Sequence, residues 1–170
     1  DQALLEQKGI SLEEFVAIAR RYDAEIIQYR DKRLDIELVR SSLQLLRQLW
    51  NKTLLINDHI LLATECNGVH IGQEDLISIN INPQIAIKII RTFIGKDRIL
   101  GISTHNIDEI RVANTLDLDY IGLGAYRGTS TKIDANILGE NLDELASYSI
   151  HPVAAIGGVR FDDTFEHATF

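Results

Sequence analysis

YIGLGAYRGTSTKID, residues Tyr120–Asp134, joins two kinds of sequence at one point. The apolar run Tyr-Ile-Gly-Leu stops at Gly124, and Arg127, Gly128, the hydroxyls of Thr129, Ser130 and Thr131, and Lys132 follow at once. A short, nearly unbroken apolar run suits a strand buried on both faces, as in a parallel sheet. The small and cationic residues behind it suit a loop that wraps an anion with N–H, O–H and ammonium donors. It is not a Walker loop, because Ile133 rather than Ser or Thr follows Lys132. Taken alone, the stretch also reads as a long surface loop, so its meaning depends on whether the pattern recurs.

It recurs along the chain. Strands are expected at Glu25–Tyr29, Thr53–Ile56, Gly68–Ile71, Ile99–Ile102, Tyr120–Leu123 and Val153–Ile156, nearly continuous in Ile, Leu and Val. Helical patterns lie between them. Ser11 with Glu14 forms a capping box, and Asn106 with Glu109 is expected to repeat it. Asn82-Pro83 sets a cap residue before a proline at the first helical position. Apolar spacing in LDIELVRSSLQLLRQLW and PQIAIKIIRTFI fits helices with one inward face. Alternating strands and helices imply parallel strands joined by right-handed crossovers. Two α/β architectures compete, a TIM-type (β/α) barrel and an open doubly wound sheet. The barrel normally takes eight units and about 250 residues, whereas this chain offers 170 residues. No linker is evident, and a single domain over residues 1–170 is expected.

Composition narrows the function. A formal charge of −8 without a Lys/Arg-rich block argues against nucleic acid or an anionic membrane as partner. Any anion site must be local. The lone cysteine, Cys66, excludes an intrachain disulfide and reads as a small, partly buried apolar residue. No apolar run reaches the roughly 18 residues of a membrane span. DQALLEQKGI lacks the basic and apolar regions of a signal peptide, so a cytoplasmic protein is expected.

Polar clusters follow every expected strand, and in parallel α/β folds those carboxyl ends share one face. After the first strand, Gln28, Arg30 and Lys32 alternate, so they should point one way and suit a phosphate or pyrophosphate. A solvated strand end is the plainer reading. Asn57-Asp58 follows the second strand and Gly72-Gln73-Glu74-Asp75 the third. Asp58 and Asp75 offer two carboxylates, the usual protein share of a Mg²⁺ site. Either one also suits a helix cap, and Glu74 stands as a substitute for Asp75. Ser103 and His105 follow the fourth strand without an evident third partner, which favours ligand contact over covalent catalysis. Gly157-Gly158 after the sixth allows close backbone approach to a phosphate, or simply a tight turn. His70, inside GVHIG, reads as structural.

In this order the clusters resemble the thiamine phosphate synthase family, a group with thiazole tautomerases among its relatives. The resemblance is carried by IIQYRDK, LLINDHILLATECNGVHIGQED, ILGISTHNIDE, YIGLGAYRGTSTKID and HPVAAIGG, which span Ile26 to Gly158. It implies a TIM barrel that joins a pyrimidine pyrophosphate to a thiazole phosphate with Mg²⁺, with a homo-oligomer allowed. Carried over by position, Gln28, Arg30 and Lys32 would hold the pyrimidine and its pyrophosphate with Asn57 nearby, and Asp58 and Asp75 would bind Mg²⁺. Ser103, Thr129, Thr131 and Lys132 would contact the pyrophosphate or thiazole, and Gly158 the thiazole phosphate. Arg30, Lys32, Ser103 and Lys132 would be the catalytic groups. The family pattern opens with a strand of the type YLITD and closes with one more strand, so the barrel is expected without its first and last strands. The alternatives are a thiazole tautomerase, which needs no metal pair and in which His105 serves as proton shuttle, and a non-catalytic phosphate-ligand binding or regulatory relative.

Overall fold

The structure is a computed structural model describing residues 1–33, 35–128 and 137–170. Packing divides the chain into two compact units, residues 1–70 with 92–99 and residues 71–91 with 100–170.

The first unit carries α1 (Gln2–Lys8), α2 (Leu12–Arg21), β1 (Ile26–Tyr29), α3 (Ile36–Leu49), β2 (Thr53–Asn57), a 3-10 helix (Ile60–Glu65) and β3 (Gly68–Ile71) up to His70, with residues 92–99. Its strands pair in parallel, with Gln28 opposite Leu55 and Asn57 opposite His70. The Ser11 box forms as expected. Ser11 Oγ accepts the Glu14 N–H at 3.2 Å, and Glu14 returns an oxygen to the Ser11 N–H at 2.8 Å. Asp35 caps α3 through the Glu37 N–H, and α3 buries Val39, Leu43 and Leu46. Strand β2 is buried along nearly its whole length, as a parallel strand covered on both faces must be. Cys66 is 4% exposed, with Sγ 3.2 Å from the Gly68 carbonyl, and burial raises its thiol pKa. The expected small apolar role holds.

The second unit carries α4 (Gln73–Ile79), α5 (Pro83–Ile94) up to Arg91, β4 (Ile99–Thr104) from Leu100 on, α6 (Ile107–Ala113), β5 (Tyr120–Leu123), α7 (Asn141–Ala146) and β6 (Val153–Ala155). Pairing is again parallel, with Ser103 opposite Gly122 and Leu123 opposite Ala155. The expected strands fall within one or two residues of those observed. The second capping box does not form as expected. Asn106 Oδ1 accepts the Glu109 N–H at 2.9 Å, but Glu109 reaches back to the N–H of His105 instead of Asn106. Beyond β6, Thr169 pairs in parallel with Ala154, donating to the Val153 carbonyl and accepting from the Ala155 N–H. One residue of a further strand position is thus present. Among the described residues no helix is long and apolar enough to cross a membrane.

Candidate active site

In the first unit, exposure alternates past the end of β1. Gln28 is exposed, Tyr29 buried, Arg30 half-buried, Asp31 buried and Lys32 exposed. Gln28, Arg30 and Lys32 therefore lie on one side, as the strand period requires. Gln28 Nε2 donates to Asn57 Oδ1 at 2.6 Å, which joins the ends of β1 and β2. The Arg30 guanidinium pairs with the Asp1 carboxylate, which also caps α1, and the Arg30 carbonyl accepts the Gln2 N–H at 2.8 Å. Lys32 makes no ion pair among the described residues, so its charge remains available.

The opposite side holds a network that sequence reasoning missed. The Asp31 side chain is 2% exposed and accepts from Tyr29 Oη at 2.9 Å, the Arg33 N–H at 3.0 Å and Arg33 Nε at 2.9 Å. Burial alone would raise its pKa, but the Arg33 hydrogen bonds outweigh it and hold the carboxyl below its ordinary value. The signal was the alternation Tyr29-Asp31-Arg33, out of phase with Gln28-Arg30-Lys32.

Asp58 sits at the centre of a three-residue turn. Its φ is 63°, and the His59 N–H closes the turn on the Asn57 carbonyl at 2.8 Å. A left-handed non-glycine residue costs about 1–3 kcal/mol and is worth a functional question. The Asp58 N–H donates to the His70 carbonyl at 2.8 Å. His70 is 3% exposed, and burial lowers its pKa to about 4, so the ring is neutral near pH 7. Its burial fits the structural role expected.

In the second unit, Asp75 is half-buried in the first turn of α4, and neighbouring Glu74 is exposed. Asp75 is thus the less solvated of the two acids. The Ser103 carbonyl accepts Gln73 Nε2 at 2.5 Å. His105 has a partner that the sequence did not reveal. Its Nδ1 lies 2.9 Å from Glu109 Oε2, which also accepts the His105 N–H at 2.8 Å. Glu109 is partly buried, which would raise its pKa, yet the His105 contacts lower it.

The loops after β5 and β6 are laced together. The Tyr126 N–H donates to the Ile156 carbonyl at 2.9 Å and the Arg127 N–H to the Gly157 carbonyl at 2.8 Å. Gly157 and Gly158 have φ of 81° and 71°, and added Cβ atoms would come within 2.6 Å of Ala125 Cβ and 2.8 Å of Arg127 Cβ. Glycine is therefore required at both positions for conformation and for space. Thr129, Thr131 and Lys132 lie outside the described residues. One further cluster, Asp143 with Glu166 and His167, brings three metal-type ligands together. Its Asp143 carboxylate already accepts the Glu166 and His167 N–H groups, at 3.0 and 2.8 Å, which explains it as a tie to α7.

Parallel strands alternating with helices, with anion-type residues beyond the strand ends, define an α/β fold, and the match to a solved structure assigns it to the TIM-barrel class. A solved thiamine phosphate pyrophosphorylase from Pyrococcus furiosus shares the fold with a TM-score of 0.67 at 26% identity, over 87% of this chain and 69% of that one. The thiamine monophosphate synthase family model matches residues 4–169, and the chain belongs to that family. Among its relatives, the thiamine-phosphate synthase of Persephonella marina is 34% identical over 94% of this chain and 74% of its own length. That of Synechococcus sp. is 39% identical over 85% of this chain, which spans 40% of the relative. That of Methanobrevibacter smithii is 36% identical over 83% of this chain and 66% of the relative.

Proposed function

We propose that this chain, as a single domain over residues 1–170, couples a hydroxymethylpyrimidine pyrophosphate to a thiazole phosphate, giving thiamine phosphate and pyrophosphate. The observation that carries the reading is the shared side of Gln28, Arg30 and Lys32, braced by the Gln28–Asn57 hydrogen bond. In the reaction the bond from the pyrimidine methylene to the pyrophosphate oxygen breaks, and pyrophosphate leaves with the electron pair. The thiazole nitrogen then supplies the pair for the new C–N bond. No protein nucleophile is needed, so binding, orientation and charge neutralisation carry the catalysis.

Each residue has a role in this reading. Lys32 and Arg30 neutralise the leaving pyrophosphate, with Lys132 and Ser103 as further donors to it. Gln28 and Asn57 fix the pyrimidine ring. Thr129 and Thr131 contact the pyrophosphate or the thiazole, and Gly158 takes the thiazole phosphate. Arg30 would exchange its Asp1 partner for the substrate anion. Asp58 and Asp75 are hard oxygen donors suited to Mg²⁺, and the backbone strain at Asp58 supports a functional side chain there. The metal, when bound, adds charge neutralisation on the pyrophosphate. A cytoplasmic location and a homo-oligomer belong to the same proposal.

The test combines both substrates with Mg²⁺ and measures thiamine phosphate, with Lys32→Ala alongside. Product that requires Mg²⁺ and is lost in the variant is expected. A folded chain that makes none would overturn the synthase reading. The His105–Glu109 pair favours one second reading, a thiazole tautomerase, for which metal-independent isomerisation of the thiazole is the discriminating assay.

A further inference from the structure

Arg127, expected only as one cationic residue of an anion-wrapping loop and given no role of its own, makes several contacts around the β6 loop. Its Nη1 and Nη2 each lie 2.6 Å from an Asp163 oxygen, a bidentate pair. Nη1 also donates to the Gly158 carbonyl at 3.0 Å, and the guanidinium stacks 4.4 Å from the centre of the Tyr126 ring. Tyr126 in turn meets Phe165 edge-on at 5.1 Å. The Asp163 side chain is 8% exposed, and its Oδ2 also accepts the Arg160 N–H at 2.7 Å. One ion pair thus grips the loop from both ends, at Gly158 and at Arg160.

The grip fixes which way the peptides face. Arg127 draws in two successive carbonyls, that of Gly157 by its own N–H and that of Gly158 by its guanidinium. In a trans peptide the C=O and the following N–H point in opposite directions. The N–H groups of Gly158 and Val159 are therefore turned away from Arg127. Among the described residues neither N–H meets an acceptor. Two adjacent backbone N–H groups facing one way form a concavity for an anion. Asp163 balances the Arg127 charge, so the arginine shapes this concavity rather than supplying its charge.

We propose that Arg127 and Asp163 are positioning residues that hold the Gly157–Gly158 turn in its anion-receiving conformation, an assignment that rests on the synthase reading for the identity of the anion as the thiazole phosphate. Lysine cannot replace the arginine fully, because it lacks the bidentate fork and the planar stacking face.

Steady-state kinetics on wild type, Arg127→Met, Arg127→Lys and Asp163→Asn, with both substrates varied, test the assignment. Arg127→Met is expected to raise KM for the thiazole phosphate about tenfold. Turnover number and KM for the pyrimidine pyrophosphate stay within about twofold, the pattern of lost uniform binding. Arg127→Lys falls between, and Asp163→Asn resembles Arg127→Met. Equal rises in both KM values, or none, overturn the assignment while leaving the synthase reading intact. A wild type without turnover overturns that reading instead. Titration with inorganic phosphate, read at the amide resonances of Gly158 and Val159, then decides the positioning role. Shifts in wild type that are lost in Arg127→Met uphold it; equal shifts, or none in wild type, overturn it.

Discussion

His59 Nε2 lies 2.7 Å from the carbonyl oxygen of Asp31, so the turn that carries Asp58 is tied to the loop that carries Arg30 and Lys32. The tie runs through backbone on one side, which makes it insensitive to the side chain at position 31 and dependent on that at 59. His59→Ala is expected to raise KM for the pyrimidine pyrophosphate several-fold, while KM for the thiazole phosphate is unchanged. Equal effects on both would show that the ring merely packs.

Asp31→Asn tests the buried network beneath that loop. Arg33 loses its close carboxylate partner and keeps only Glu6 at 3.8 Å, and the variant should unfold at lower urea, with a loss of roughly 1–3 kcal/mol. The pKa of Asp31 is lowered in the fold, so its stabilising contribution is complete above the ordinary carboxylate value. It fades as pH falls through the folded value. The gap between wild type and variant should accordingly close in acid, and a gap independent of pH would refute the ionic account.

Asp58 combines a strained backbone with a carboxylate, and the two are separable by substitution. Asparagine tolerates the left-handed region but removes the charge. Asp58→Asn should keep the wild-type melting temperature and lose about a hundredfold in Mg²⁺-dependent turnover. Asp58→Gly should melt no lower than wild type, because glycine adopts this φ freely. Full turnover in Asp58→Asn would remove the residue from the metal assignment.

The strands were legible because β2 and β3 are buried along nearly their whole length and leave short, largely apolar runs bounded by polar residues, too short for a helix. The side shared by Gln28, Arg30 and Lys32 was legible for the related reason that a period of two persists through them. What escaped were pairs made across distance or against the expected partner. Glu109 serves both the Asn106 cap and His105, and a motif read by spacing alone assigns it only the first. Arg127 finds Asp163 in a loop without regular pattern, where the sequence offers no period to place it. Arg30 suits a phosphate by its place in the alternation, and nothing local in the sequence points to its pairing with Asp1 at the far end of the segment.

His70 should leave a mark on acid stability. Its pKa is about 4 in the fold against 6.5 unperturbed, because burial disfavours the charged ring. Between those values the unfolded chain binds the proton and the folded chain does not, so stability rises with pH across this window. The contribution is complete above about pH 6.5 and falls by roughly 3 kcal/mol as pH drops toward 4. Urea midpoints of wild type and His70→Gln between pH 4 and 7.5 measure it. The variant should show a flatter slope, and an unchanged slope would place the titrating group elsewhere.

Gly68 opens β3 against the backbone of Ile99, and its place is steric. A Cβ there would lie 2.0 Å from the Ile99 carbonyl oxygen and 2.7 Å from both the carbon and the nitrogen of that residue. Those are main-chain atoms, and the Ile99 N–H is already committed to the Asn67 carbonyl at 2.9 Å. No side-chain rotation relieves the clash, so the strand itself must shift and its hydrogen bonds must lengthen. Gly68→Ala should therefore cost roughly 3 kcal/mol or more, at the upper end of overpacking penalties. In a chain of this size that lowers the melting temperature by roughly 6–12 °C. A melting temperature within about 2 °C of wild type would mean that the β3 backbone yields freely, and the close approach would lose its place in the account of this fold.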